Sequence, residues 1–214
     1  MCIRDRKYLS FVLLGILTLA GLGGVAVGIA QSSSATALGQ AVTNTLKSPN
    51  YSEALSEKTP QGSQVADLVY QAPDRLGGTL TSAGRSTTIV IIGTTEYVSV
   101  TRTATSTGPL TFYTQQSQGA QAVDPAHTYL AYWDCRGLKP CPTTRNGSVT
   151  TVTLSQGGQT ETLTFTVTGN VVSKFTAATP GGTIELVISK VGSSPPVALP
   201  AGSKVVAVPS QSAG

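Results

Sequence analysis

The side chains of this sequence able to do chemistry are Cys135 and Cys141, the single His127 and a thin scatter of carboxylates, and their spacing restricts what that chemistry could be. Five residues separate the two cysteines, in a loop carrying Arg136-Gly137 and Lys139-Pro140. A redox pair needs two intervening residues, and a zinc site needs four ligands, which a lone histidine cannot complete. In an oxidising compartment the pair closes a disulfide, a small structural staple worth about 2 kcal/mol by loop-closure arithmetic. A hydrolase needs a nucleophile, a base and an orienting group, but Asp124, three residues before His127, reads as the cap of the helix they share. Asp67, Asp74, Glu96, Asp124 and Asp134 fall at expected turns or strand ends and read as solvated charge rather than as a glycosidase pair. Gly157-Gly158 and Gly181-Gly182 read as hairpin turns, not phosphate-cradling loops. Asn50-Tyr51-Ser52 and Asn146-Gly147-Ser148 match the N-glycosylation pattern and also read as turns. The expectation is a non-catalytic protein without a metal or a cofactor.

Composition frames that expectation. Charged residues are 11 % of the 214, against roughly 25 % in average soluble proteins. Thr, Ser, Gln and Gly supply the missing polarity, a balance that suits a secreted or envelope β-protein. The opening string Met1-Cys2-Ile3-Arg4-Asp5-Arg6 reads back into the codons of a sequencing-library adapter, so residues 1–6 and with them Cys2 are set aside. Without Arg4, Arg6, Lys7 and Asp5 the remainder holds eleven basic and nine acidic residues, a net of +2. The basic residues are spread singly, so no footprint for nucleic acid is expected.

From Phe11 to Ala30 there are twenty residues without a charge. A helix of that length covers about 30 Å, the thickness of the hydrocarbon core. Positive charge before the segment and almost none after it sends the rest of the chain outward. Residues 1–30 therefore read as an export signal, cleaved after Gly28-Ile29-Ala30, or as a signal anchor that holds the protein at the membrane if uncleaved. Either way the location is extracytoplasmic. No cysteine follows the segment at a position for lipid attachment.

The elements that must position any site come next. Residues 31–36 read as a polar linker, 37–202 as one domain and 203–214 as a flexible tail. Leu38, Val42 and Leu46 recur at helical spacing, with Ser48-Pro49 as the stop. After Tyr51 the pattern changes to period two, predicting strands over 51–55, 64–71, 79–82, 86–92, 96–102, 110–115, 148–155, 161–167, 171–177 and 183–190. Turns at Ala72-Pro73-Asp74, Gly93-Thr94, Gly169-Asn170 and Pro180-Gly181-Gly182 link several of them into an antiparallel meander. Leu163, Phe165 and Val167 share one face while Thr162, Thr164 and Thr166 share the other, and Ile184, Leu186 and Ile188 repeat the scheme. Ile89-Val90-Ile91-Ile92 is apolar on both faces, so something must cover its second side. Asp124-Pro125 starts a helix whose Ala126, Tyr129, Leu130 and Trp133 fall on one face. Beside the cysteine loop, that helix is either a mobile lid or a core-packing element.

This order of elements resembles the bacterial lipoprotein-carrier superfamily (LolA-like), and within it the actinobacterial LprG/LppX-like lipid-binding branch. The likeness is carried by Ala41-Val42-Thr43-Asn44-Thr45-Leu46, Tyr70-Gln71-Ala72-Pro73-Asp74-Arg75, Ile91-Ile92-Gly93-Thr94-Thr95-Glu96-Tyr97-Val98, and an ending of Ile188-Ser189-Lys190-Val191-Gly192 followed by Pro195-Pro196 and Pro200. The resemblance implies an α+β fold, a strongly curved antiparallel β half-barrel with short helices packed on its concave face, where acyl chains are held. If the sheet curves in that way, the expected ligand-binding residues are Leu38, Val42, Leu46, Ile89, Ile91, Tyr97, Phe112, Tyr129, Trp133, Phe165 and Leu186, with Tyr129 and Trp133 near the entrance. The expected ligand is a long-chain lipid, a glycolipid or a lipidated protein, bound by a monomer. The alternative is an envelope interaction or sensor domain that uses the same half-barrel as a scaffold with no bound lipid. An open apolar tunnel would favour the carrier, and a filled core the scaffold.

Overall fold

The structure, a computed structural model, describes residues 33–103, 108–133, 143–156, 159–179 and 181–207. The expected export segment, Cys135 and Cys141 lie outside them. Among the described residues no helix is long and apolar enough to cross a membrane.

Helix α1 (Ser33–Leu46) begins inside what the sequence suggested was linker. Its inward stripe is Leu38, Ala41, Val42 and Thr45, all buried. Thr43 and Thr45 fold their hydroxyls back onto the carbonyls of Gly39 and Ala41, which spares two polar groups from the core. Strands β1 (Asn50–Thr59), β2 (Gly62–Gln71), β3 (Arg75–Ser82), β4 (Arg85–Ile92), β5 (Thr95–Ser99), β6 (Arg102–Thr103) and β7 (Thr111–Gln116) follow. Two short helices, α2 (Ala120–Val123) and α3 (Pro125–Leu130), precede the second run, β8 (Thr143–Asn146), β9 (Val149–Gln156), β10 (Gln159–Thr168), β11 (Val171–Thr179) and β12 (Gly182–Ser189); β13 (Lys204–Ala207) comes last.

All thirteen strands join one curved sheet in the order β13-β7-β5-β4-β3-β2-β1-β12-β11-β10-β9-β8, with β6 beside β4. Both halves are meanders, and they meet where β1 pairs antiparallel with β12 from Ser52–Ser189 to Lys58–Thr183. The first long strand and the last are therefore neighbours at mid-sheet, which ties the two ends of the fold together. The expected half-barrel is the observed fold.

Each face of the sheet has its own apolar cluster. The face under the helices carries the larger one, built on Tyr51, Leu55, Leu68, Tyr70, Ile91, Leu163, Phe165, Phe175 and Leu186. On the reverse face Val90 and Phe112 pack with Val197, joined by Val69, Ile92, Tyr97, Leu110 and Leu199. This is the cover that the doubly apolar run in β4 required: an extended strap from the Pro-rich ending. Arg75 donates to Val197 O, and Val197 N–H donates to Gln71 Oε1, which fixes the strap across β2 and β3.

Three expectations need correction. Residues Lys204–Ala207, expected in a flexible tail, pair in parallel with β7 because β7 otherwise ends the sheet with an open row of backbone groups. Asn50-Tyr51-Ser52 is the start of β1, not a turn, since Tyr51 is buried against Tyr70. Asp124 is not solvated: no part of it is exposed, and Glu96 is nearly as buried.

Candidate functional site

Antiparallel register puts inward side chains in rows across the helix-bearing face. One row runs Ala66, Leu55, Leu186, Phe175, Phe165, Thr150, from β2 through β1 to β9. A second runs Leu68, Glu53, Ile188. Onto these rows α1 lays Leu38 and Val42, and α3 lays Ala126, Tyr129 and Leu130. Tyr129 stacks on Phe175 at 5.7 Å, and Phe175 meets Phe165 edge-on at 5.1 Å. Beyond α3 the half-buried Trp133 ring abuts Gly39 of α1, so close that a β-carbon at Gly39 would stand 2.5 Å from the ring. The two helical covers meet at that contact.

Nine of the expected ligand-binding residues share this core: Leu38, Val42, Leu46, Ile89, Ile91, Tyr129, Trp133, Phe165 and Leu186. Tyr97 and Phe112 do not. Tyr97 is opposite Val90, and both lie on the reverse face with Phe112 and the Val197 strap. Parity decides this: residues that pair with Val90 point away from those that pair with Ile89 and Ile91.

Little space remains between helices and sheet among the described residues. A void of about 10 Å³ lies under Tyr129, edged by Leu154, Leu163 and Phe175, roughly the least that admits one water. A larger cleft of about 230 Å³ opens beside α1, between Leu38, Ala41 and Asn44 on one side and Arg145, Thr150 and Asn170 on the other. The helices' own side chains thus pack onto the concave core, and neither of these two spaces is a tunnel through it among the described residues.

The joint between α3 and the sheet is polar, and sequence reasoning missed its centre. Glu53 lies at the middle of β1 with its side chain inward and 3 % exposed. Its Oε2 accepts from the Ala126 N–H at 3.2 Å. Asp124 caps α3, its Oδ2 accepting from the His127 N–H at 2.9 Å, and the same oxygen accepts the Tyr51 hydroxyl at 2.8 Å and the His127 ring nitrogen at 2.6 Å. That set assigns the proton of the His127 ring to Nδ1. Tyr70 stacks on Tyr51 at 5.0 Å and lies 5.0 Å from the His127 ring.

The charges at this joint follow from burial. Burial, then the Asp124 charge, pushes the Glu53 carboxyl well above its ordinary value, with the Ala126 N–H opposing. Burial also pushes Asp124 up, but the hydrogen bonds from Glu53 and from His127 outweigh it and hold its carboxyl below the usual range. Burial raises Tyr51, as do the nearby carboxylates. These contacts bind a helix to a strand. Among the described residues there is no group of three His, Cys, Asp or Glu arranged to hold a metal ion.

No family model matches the chain, and no curated protein does. Among solved structures, lipoprotein LppX of Mycobacterium tuberculosis superposes with a TM-score of 0.50 at 13 % identity, covering 79 % of this chain and 100 % of that one. LprF from Mycobacterium bovis gives 0.46 at 12 % identity, over 81 % of this chain and 98 % of that one. At such identity a likeness speaks for the fold alone. This chain folds as a LolA-like half-barrel, the architecture it has in common with LppX.

Proposed function

We propose that this domain, residues 37–202, is an extracytoplasmic, non-catalytic binding protein for a long-chain lipid, a glycolipid or a lipidated protein, and that the structure is its closed form. The observation that supports this most is that two helical covers, which take no part in the strand pairings, rest on the sheet's apolar concave face, α1 being tied to β11 by the Val172 N–H donating to Thr45 Oγ1. None of the strand-to-strand pairings involves α1 or α3. Lifting the covers at the Trp133–Gly39 seam would bare Phe165, Phe175, Leu163 and Leu186, a floor suited to methylene chains. Burying such a chain is favourable by about 0.8 kcal/mol per methylene, so a dozen carbons bind without specific polar contacts. Residues 1–30 export or anchor the domain, and the protein acts as a monomer.

A second reading is favoured by the filled core: a scaffold domain of the envelope that carries no lipid. A fluorescent long-chain fatty acid titrated into residues 31–214 separates the two. Saturable binding that Phe165→Asp abolishes supports the carrier, and its absence supports the scaffold.

A further inference from the structure

Two oxygen atoms at the α3 joint are left over after every contact above is counted. Glu53 Oε1 and Asp124 Oδ1 are both buried and without a hydrogen-bond partner, while Glu53 Oε2 accepts from the Ala126 N–H two residues past Asp124, so the two carboxyl groups meet at the start of α3 and each acts on the other's titration. Two ionised carboxylates have no hydrogen to place between them, and packed together out of water they repel. A single proton removes the difficulty. It belongs on Glu53, because Asp124 Oδ2 already accepts three hydrogen bonds that favour its ionised form.

We propose that Glu53 and Asp124 share one proton across the joint between β1 and α3, and that this proton latches the α2–α3 cover onto the concave face. The inference rests on reading that cover as a lid. The groups around the pair are few. Tyr51 faces it from β1 and Tyr70 from β2, His127 belongs to α3, and Gln121 of α2 donates to the Tyr70 hydroxyl. Asp74 acts on Tyr70. Leu68 of β2 and Ile188 of β12 are level with Glu53. Further along the underside of α3, Tyr129 feels Glu57, whose carboxyl burial raises. Burial holds Tyr51, Tyr70 and Tyr129 above their ordinary values, so they stay neutral where carboxyl groups titrate.

The sign follows from linkage. Glu53 is raised in the closed form, so its contribution is complete at low pH and is lost as pH rises through the raised value. Between the ordinary carboxylate value and the raised one, each pH unit shifts the closed-to-open ratio about tenfold toward open, and above the raised value the ratio levels off. Asp124 is lowered, so its contribution is present above the ordinary carboxylate range and is lost as pH falls through the lowered value. The latch holds between the two limits, and the alkaline limb belongs to Glu53.

Trp133, the chain's one tryptophan, sits at the seam and reports the lid. The experiment is acrylamide quenching of Trp133 in the full chain in detergent micelles, without lipid, across the pH range where far-ultraviolet circular dichroism stays constant. Quenching should rise severalfold toward alkaline pH. Glu53→Gln, whose amide donates the same bond without titrating, should lose that limb, and Asp124→Asn, which removes the charge raising Glu53, should shrink it or move it toward acid. A protonated-carboxyl stretch in the infrared spectrum should disappear on the same limb. An alkaline limb unchanged in whichever of these variants folds, or the absence of any limb in the parent, would overturn the latch. Because no lipid is present, this outcome is separate from whether the domain binds lipid.

Discussion

Asp124 performs two tasks with one side chain: it caps α3, holding the His127 ring of that helix as well, and it accepts the Tyr51 hydroxyl from outside the helix. Replacing it with alanine strands a buried hydroxyl and a capping N–H together, a loss expected at about 2–4 kcal/mol in urea unfolding. Asp124→Asn keeps the cap and should lose less than half of that. The capping role was legible, since Asp before Pro is a helix start that needs only local sequence. The burial was not, because what covers Asp124 is Tyr51, seventy-three positions away. Glu53 left a fainter trace. It alternates in phase with Tyr51 and Leu55, and all three are buried on the same face. A buried carboxylate cannot be recognised from a strand alone, however, when its partner comes from a distant helix.

At the scale of elements, the strap around Val197 does the work expected of a further strand. It covers Val90 and Phe112, and it approaches β3 where Gly77 has no side chain, since a β-carbon there would stand 2.9 Å from Val197. The neighbouring Gly78 is tighter still, with Asp67 O 2.0 Å from the place of its β-carbon. That glycine pair explains why period-two alternation began β3 at Thr79, four residues late: glycines carry no apolar signal and weaken a strand pattern. Val197→Asp should destabilise the domain by about 2–4 kcal/mol in denaturant unfolding, as an unpaired charge on a buried patch. Truncation before Lys204 removes a strand whose four side chains are all exposed, and should cost less than about 1 kcal/mol. Gly39→Val should push the Trp133 ring off α1 and shift its emission to the red, while the circular dichroism of the sheet is kept. The faces of β4, β5 and β7 could not be told apart in advance, because Ile89-Val90-Ile91-Ile92 is apolar on both sides. Tyr97 and Phe112 were therefore counted with the wrong face.

The whole molecule is a curved sheet with a filled concave face, and its proposed task requires that this face open. Order of elements, hairpin positions and most strand limits were readable from alternation and turn chemistry, because those signals are local. Whether two short helices fill the hollow of the sheet depends on how Leu38, Val42, Tyr129 and Leu130 meet Phe165, Phe175 and Leu186, a matter of packing that periodicity does not carry. The most direct test is native mass spectrometry of residues 31–214, purified without delipidation and then titrated with a long-chain fatty acid. The carrier reading expects a mass increment of one lipid per monomer, saturating at micromolar ligand and absent from Phe165→Asp shown by circular dichroism to be folded. Apoprotein alone at every lipid concentration would contradict it.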